Sequence, residues 1–303
     1  MRIEVFDVGH GGCAVITGPN GKQLMLDCGY GTAPSWFPSE EYRGKRLECL
    51  AFMNLDEDHL DDLPHLWKSA EIGAIYSNPT VSDEALASMK RQHGMKDGVR
   101  FAHGLLSHFG SGRIGALADL GPEVRVWSYC NTYGYPFTDT NNLSLAVFVS
   151  YRGFTTLFAG DLETPGWKLL LQNPFFRRDL AKISVLMASH HGRENGKCDE
   201  VFQIVRPDIV VFSDDAKRHS TQETDAWYRY RVTGIPVIDQ TPDVRTGLLP
   251  RRHVYTTRRD GTLTIDVNKL GGYLVRPSRA MDAPSIAEFT NALLGLRTPP
   301  NAA

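Results

Sequence analysis

Four times in this chain a short apolar run of strand length stops at a carboxylate or a histidine. Leu47 to Phe52 leads to Asp58 and His59, Thr155 to Ala159 to Asp161, Ile183 to Ala188 to His190 and His191, and Ile209 to Phe212 to a loop ending in His219. Apolar runs of this length bounded by turn residues read as buried strands. Polar groups at successive strand ends converge only if the strands share one sheet edge, which is where α/β proteins place their sites. The pattern therefore asks for a sheet-based α/β fold with its chemistry along one edge.

The densest of these ends is Met53-Asn54-Leu55-Asp56-Glu57-Asp58-His59-Leu60-Asp61-Asp62-Leu63. Acids packed this closely repel one another unless water bathes them or a cation sits among them, and Asp with His is a ligand set for a divalent ion. The same stretch can also be a plain acidic loop, with Asp61 or Asp62 capping a helix whose apolar face is Leu63, Leu66 and Trp67. The adjacent pair His190-His191, followed by Gly192, is a sharper signal, because imidazole is the usual nitrogen ligand and glycine permits the turn. Asp161, directly after Gly160, reads either as a ligand pointing out of the sheet edge or as a helix cap.

The N-terminal thirty residues alternate like an antiparallel meander, with Ile3, Val5 and Asp7 on one face, Cys13 to Ile16 and Gln23 to Asp27 as further strands, and a turn at Gly18-Pro19-Asn20-Gly21. Gly9-His10-Gly11-Gly12 and Cys28-Gly29-Tyr30-Gly31 are glycine junctions that allow either tight turns or a close backbone approach to a ligand. Asp27 caps a turn or holds a ligand from behind, and His10 and Asn54 are candidates for the same supporting role. Residues 64 to 125 read as mostly helical, with a helix opening at Asp83 after Ser82. Ile286, Phe289, Leu293 and Leu294 form the stripe of a C-terminal helix over 279–297, followed by a frayed tail at 298–303. Residues 1–278 are expected to form one domain.

Composition removes several classes. With 42% hydrophobic and 22% charged residues, the chain is of ordinary globular make-up. No apolar run reaches the roughly 18 residues of a membrane span, and the N-terminus lacks a basic segment followed by an apolar one, so neither anchor nor signal peptide is expected and a cytoplasmic location is. The cysteines at 13, 28, 49, 130 and 198 are odd in number and never paired as C-x-x-C, against a disulfide framework or a cysteine zinc site. A net charge of −2 gives no global pull toward nucleic acid.

In order, Asp7-Val8-Gly9-His10-Gly11, Leu26-Asp27-Cys28-Gly29, Asp56-x-Asp58-His59, Gly160-Asp161 and Ser189-His190-His191-Gly192 resemble the metallo-β-lactamase superfamily, and within it the competence-type hydrolases related to a domain of DNA-uptake channel proteins. Tyr255 to Ile265 looks like the final hairpin of that group. The resemblance covers residue 2 to about 267. It implies an α/β fold, a four-layer αββα sandwich with metals at one edge, and hydrolysis of esters, amides, thioesters or phosphodiesters. The signature His-x-His-x-Asp-His departs here, because Asn54 and Asp56 stand where relatives carry the first two histidines. Ser128, Tyr129 and Asn131 lie where another family histidine is expected. The resemblance thus implies a metal group drawn from Asp56, Asp58, His59, Asp161, His190 and His191, with Asp161 bridging if there are two ions. His190 is favoured over His191 as the direct ligand. An oxygen-rich first site would favour Mn²⁺ or Mg²⁺ over Zn²⁺.

The expected chemistry is metal-assisted hydrolysis, with Asp58 and Asp56 as catalytic carboxylates and one or two divalent ions activating water. Arg193, Lys217 and His219 are candidates for binding substrate, since guanidinium and ammonium suit phosphate. A nuclease or phosphodiesterase acting on nucleic acid or nucleotide is the favoured reading. The alternatives are a hydrolase of a small ester, thioester or lactam, and a catalytically degenerate scaffold that binds a protein or nucleotide. The terminal helix could dock on the domain, on a protein partner or on a second copy of the chain.

Overall fold

The computed structural model describes residues 1–32, 35–110, 118–217, 220–237 and 249–279. Two twisted sheets carry the chain. The first runs in the order Tyr273–Pro277, Leu263–Val267, Arg2–Val5, Ala14–Thr17, Gln23–Leu26, Cys49–Ala51 and Ile75–Tyr76. The second runs Val124–Tyr129, Ala146–Tyr151, Phe154–Phe158, Val185–Met187, Ile209–Phe212 and Val254–Thr256.

Side-chain alternation builds the layers. In Ala146–Tyr151, Val147 and Val149 face the first sheet, where Ile3, Val5, Ile16, Leu24 and Leu26 meet them, while Ala146 and Phe148 face outward. The outer face of the first sheet is covered by Leu63 and Leu66 of the helix Leu63–Ser69, Leu86 of Asp83–Met89, and Val99, Ala102 and Leu106 of Asp97–Phe109. The outer face of the second is covered by Trp167, Leu170, Phe176, Leu180 and Val201 from the helices Thr164–Leu170, Pro174–Leu180 and Asp199–Ile204. The fold is therefore a four-layer αββα sandwich, the architecture the resemblance implied. Among the described residues no helix is long and apolar enough to cross a membrane.

Gln23–Leu26 and Cys49–Ala51 run parallel, as do Phe154–Phe158, Val185–Met187 and Ile209–Phe212. Parallel strands deliver their C-terminal ends to one edge, and Asp27, Asp58, His59, Asp161, His191 and Ser213 all follow such ends. Ser82 caps its helix as expected, its hydroxyl accepting the Ala85 N–H at 3.2 Å. The carboxylate of Asp62 is used otherwise: it takes the Ser39 N–H at 2.6 Å and the Ser39 hydroxyl at 3.1 Å.

One expectation is corrected. Residues 255–265 are not a hairpin: Val254–Thr256 pairs parallel to Ile209–Phe212 in the second sheet, and Leu263–Val267 pairs with Arg2–Val5 in the first. A one-turn helix, Thr257–Asp260, makes the crossing, with the Thr256 hydroxyl accepting the Arg259 N–H. The closing hairpin is instead Leu263–Val267 with Tyr273–Pro277. The terminal helix expected over 279–297 lies outside the described residues, apart from Arg279.

Candidate metal centre

Asp58, His59, Asp161 and His191 each turn one ligand atom into a common space, all four atoms lying within 4.8 Å of one another. His59 Nε2 is 3.2 Å from Asp161 Oδ2, and His191 Nε2 is 3.4 Å from Asp58 Oδ2 and 3.5 Å from Asp161 Oδ1.

The far nitrogen of each ring decides what the near one presents. His59 Nδ1 is 2.6 Å from Asp27 Oδ2, and His191 Nδ1 is 2.8 Å from the Ser213 carbonyl oxygen. Carboxylate and carbonyl oxygens only accept, so each Nδ1 carries the proton and donates it. Both Nε2 atoms then face carboxylate oxygens, each holding either a second proton or, in the neutral ring, a lone pair that a metal could take. They are buried and have no hydrogen-bond partner among the described residues. Nitrogens that face anions in a buried site call for positive charge between them, either a proton on the ring or a cation bound to its lone pair. The field likewise favours positive charge at these nitrogens, as protonated rings while no ion is bound. Against the effect of burial, the His59 and His191 rings hold Asp58 down to about 2 and Asp161 well below the usual carboxylate range. In return, and again against burial, Asp161 with its neighbouring carboxylates lifts His191 to about 10 and His59 well above its ordinary value. The residues present therefore fit a divalent ion bound by two imidazoles and two carboxylates.

The backbone is bent to make this arrangement. Asp27, His190 and His191 have positive φ angles of 59°, 50° and 53°, a conformation that costs a non-glycine residue and clusters at functional sites. Gly12 passes over the Asp27–His59 pair so closely that a Cβ would sit 2.9 Å from Asp27 Oδ2 and 2.9 Å from His59 Nδ1. At Gly29 a Cβ would fall 2.3 Å from the Asp58 carbonyl oxygen. The two glycine junctions thus serve close approach as well as turning. Asp27 is buried and anchored on its other oxygen by the Met53 N–H at 2.6 Å.

Other expected site residues stand apart from the group. His190 is not in it: its N–H donates to the Gly160 carbonyl at 3.0 Å, and its Nδ1 lies 3.6 Å from Glu163 Oε1. Because both histidines are in the left-handed conformation, the chain turns between them and they face different groups. His191 takes the place expected for His190. Asp56 is also outside: its carboxylate is paired with the Lys90 ammonium and takes the Thr140 hydroxyl at 2.6 Å. Burial pulls Lys90 down to about 8, which leaves it charged at neutral pH. Asn54 donates to Asn141 Oδ1 at 3.0 Å and, at 3.5 Å, to Asp56 Oδ2. Asn131 holds the Asn142 and Gly166 carbonyls, the Ser128 hydroxyl meets Tyr76, and Tyr129 donates to Asp179. All three are engaged in structural bonds. Lys90, Thr140, Asn141 and Glu163 were not visible as site residues, since nothing local in the sequence marks them.

At the rim, His10 Nε2 is 3.7 Å from Asp58 Oδ2 and accepts a hydrogen bond from Arg193 Nη2 at 3.0 Å. Burial, with His191 close by, pulls His10 down to about 4, so the ring is neutral and able to accept. Arg193 Nε is buried with no partner among the described residues. Lys217 is half-exposed at most and pairs with Asp225 at 3.2 Å. His219 lies outside the described residues.

No protein-family model matches the sequence, and no curated protein matches it. Among solved structures, the chain is similar to a protein described as a metal-dependent hydrolase from Parabacteroides distasonis, at 11% identity and TM-score 0.42, covering 83% of this chain and 91% of the other. It is similar to a diphosphatase of the PhnP family at 9% identity and TM-score 0.45, covering 88% of this chain and 98% of that one. It also aligns with CmlA, a diiron β-hydroxylase from Streptomyces venezuelae, at 12% identity and TM-score 0.45, covering 83% of this chain and 53% of the other. At these values the likeness concerns the backbone and assigns no reaction to this chain.

Proposed function

We propose that this chain is a metal-dependent hydrolase that cleaves phosphodiester bonds. The observation that carries the reading is the convergence of His59 Nε2 and His191 Nε2, neither with a hydrogen-bond partner among the described residues, on the carboxylates of Asp58 and Asp161. A divalent ion bound there supplies an acidified water and stabilises charge on the attacked centre. The chain's own residues account for the rest. Asp27 and the Ser213 carbonyl fix both imidazoles in the ligating tautomer. Asp58 is the least buried of the four, with its side chain 28% exposed against 3–5% for the others, so its carboxylate is the one an entering water or substrate would meet first.

Arg193 favours an anionic substrate. Its guanidinium is held on neutral His10, beside Asp58. A forked donor at the rim suits a phosphoryl oxygen. Manganese, zinc and magnesium are the ions to try first. Cleavage of a bis-aryl phosphodiester, single-stranded DNA and RNA by the purified chain with each ion would be compared with hydrolysis of a neutral aryl ester. Arg193→Ala should lower phosphodiester turnover at least tenfold and leave any ester turnover within about threefold, the loss expected for one charge-assisted contact. Ester turnover without phosphodiester turnover would favour the small-ester alternative, and absence of both with metal bound would favour the scaffold.

A further inference from the structure

Each loop that supplies a member of the metal group carries a second polar residue next to it. Asn54 and Asp56 precede Asp58 and His59, Glu163 lies two residues past Asp161, and His190 precedes His191. These neighbours form a network of their own. Asn54 Nδ2 donates to Asn141 Oδ1, Asn141 Nδ2 donates to Glu163 Oε1 at 3.2 Å, and Asn195 Nδ2 donates to the same oxygen at 2.7 Å. Asn54 Oδ1 and His190 Nδ1 are buried and find no hydrogen-bond partner among the described residues. Carboxylate, imidazole and amide oxygen are donor types that attract a cation, although among the described residues only Asp58, His59, Asp161 and His191 bring three or more acid or histidine ligand atoms within 4.8 Å of one another.

A cation is already built in. Lys90, at the C-terminal cap of the helix Asp83–Met89, lays its chain against the loop and pairs its ammonium with Asp56 Oδ1. The pair is largely withdrawn from solvent, with side chains 13% and 28% exposed. The other Asp56 oxygen is taken by Thr140 and Asn54. A divalent ion could use Asp56 only by displacing an ammonium from a carboxylate whose second oxygen is also engaged, and like charges at such range repel strongly. We propose that Lys90 is the fixed cation of this second cluster, and that its ammonium on Asp56 confines the chain to a single divalent ion, held by Asp58, His59, Asp161 and His191. The proposal rests on the reading of those four residues as a metal centre.

The test is bound metal per chain, by elemental analysis after equilibrium dialysis of the full-length protein against Mn²⁺ or Zn²⁺ from micromolar to millimolar concentration. Wild type and Lys90→Arg should plateau at one ion. Lys90→Met, checked for folding by circular dichroism, should take a second, weaker equivalent, and Lys90→Met with Asp56→Asn should return to one. As an arm that does not depend on Lys90→Met folding, Asp56→Asn alone should keep one ion with affinity within threefold of wild type. Two ions in wild type, no second ion in Lys90→Met, or loss of the ion in Asp56→Asn would each overturn the proposal while leaving a metal centre in place. No ion in wild type at any concentration would remove the metal reading and this proposal with it.

Discussion

Replacing Asp27 by asparagine separates metal affinity from folding. Asp27 Oδ1 takes the Met53 N–H at 2.6 Å and Oδ2 takes the His59 Nδ1 proton at 2.6 Å, so both oxygens are needed. Asparagine tolerates the left-handed φ of 59° and preserves the side-chain shape, but it has one oxygen. With that oxygen on Met53, its amide N–H₂ faces His59 Nδ1. The imidazole must then accept there and carry its proton on Nε2, the atom that should ligate. The lost bond is charge-assisted and buried, worth about 1.5–3 kcal/mol, which corresponds to about a tenfold to hundredfold loss of metal affinity. Competition against a chromophoric chelator reads the affinity, and a thermal melt without metal checks that the variant folds. Affinity within threefold of wild type in a folded variant would refute the assignment of the His59 tautomer.

Gly12→Ala should act on the same pair from outside, since its Cβ would press on both Asp27 Oδ2 and His59 Nδ1 at 2.9 Å; a melt should show about 1–3 kcal/mol of destabilisation, the usual range for overpacking, together with weaker metal binding. Addition of metal at 100 times its dissociation constant should stabilise the wild type by about 2.7 kcal/mol, and chelation should reverse the shift; His191→Ala, lacking one of the four ligands, should show little of it in the same melts. The cysteines should be inert while the protein is folded. Burial pushes the Cys49 and Cys198 thiols up to about 12, Cys130 to about 11, and Cys13 and Cys28 well above their ordinary value. At pH 8 a thiol with a pKa near 12 is thiolate in only about one molecule in ten thousand, so a colorimetric thiol reagent should label slowly in buffer and reach all five cysteines in guanidinium.

The sequence carried the layered architecture because strand alternation and helix stripes are local signals. Val147 and Val149 face one way and Phe148 the other by the two-residue period alone. It also carried the donors at strand ends, Asp58, His59, Asp161 and the His190-His191 pair, because apolar runs that stop at such residues are legible without knowing what they meet. The choice within the pair was not legible. It goes with two consecutive left-handed residues, His190 and His191, a backbone conformation that no side-chain pattern announces. Nothing near Asp56 in the sequence tells an ion-paired carboxylate from a ligand, since its partner, Lys90, is 34 residues away on another element. The Arg193–His10 contact spans 183 residues and leaves no local trace. The segment 255–265 resembles a family hairpin in sequence, and its short turn of helix, held by Asp260 accepting the Thr256 N–H at 2.9 Å, is too brief to show a helical period.

One divalent ion should sit among Asp58, His59, Asp161 and His191. The measurement that tests it most directly is anomalous diffraction from crystals grown with Mn²⁺, with data collected on both sides of the manganese edge. One strong peak per chain is expected, bonded to His59 Nε2, His191 Nε2 and oxygens of Asp58 and Asp161, with Lys90 still paired to Asp56. A peak coordinated by Asp56 and His190 instead, or no peak from protein that binds no manganese in solution, would contradict it.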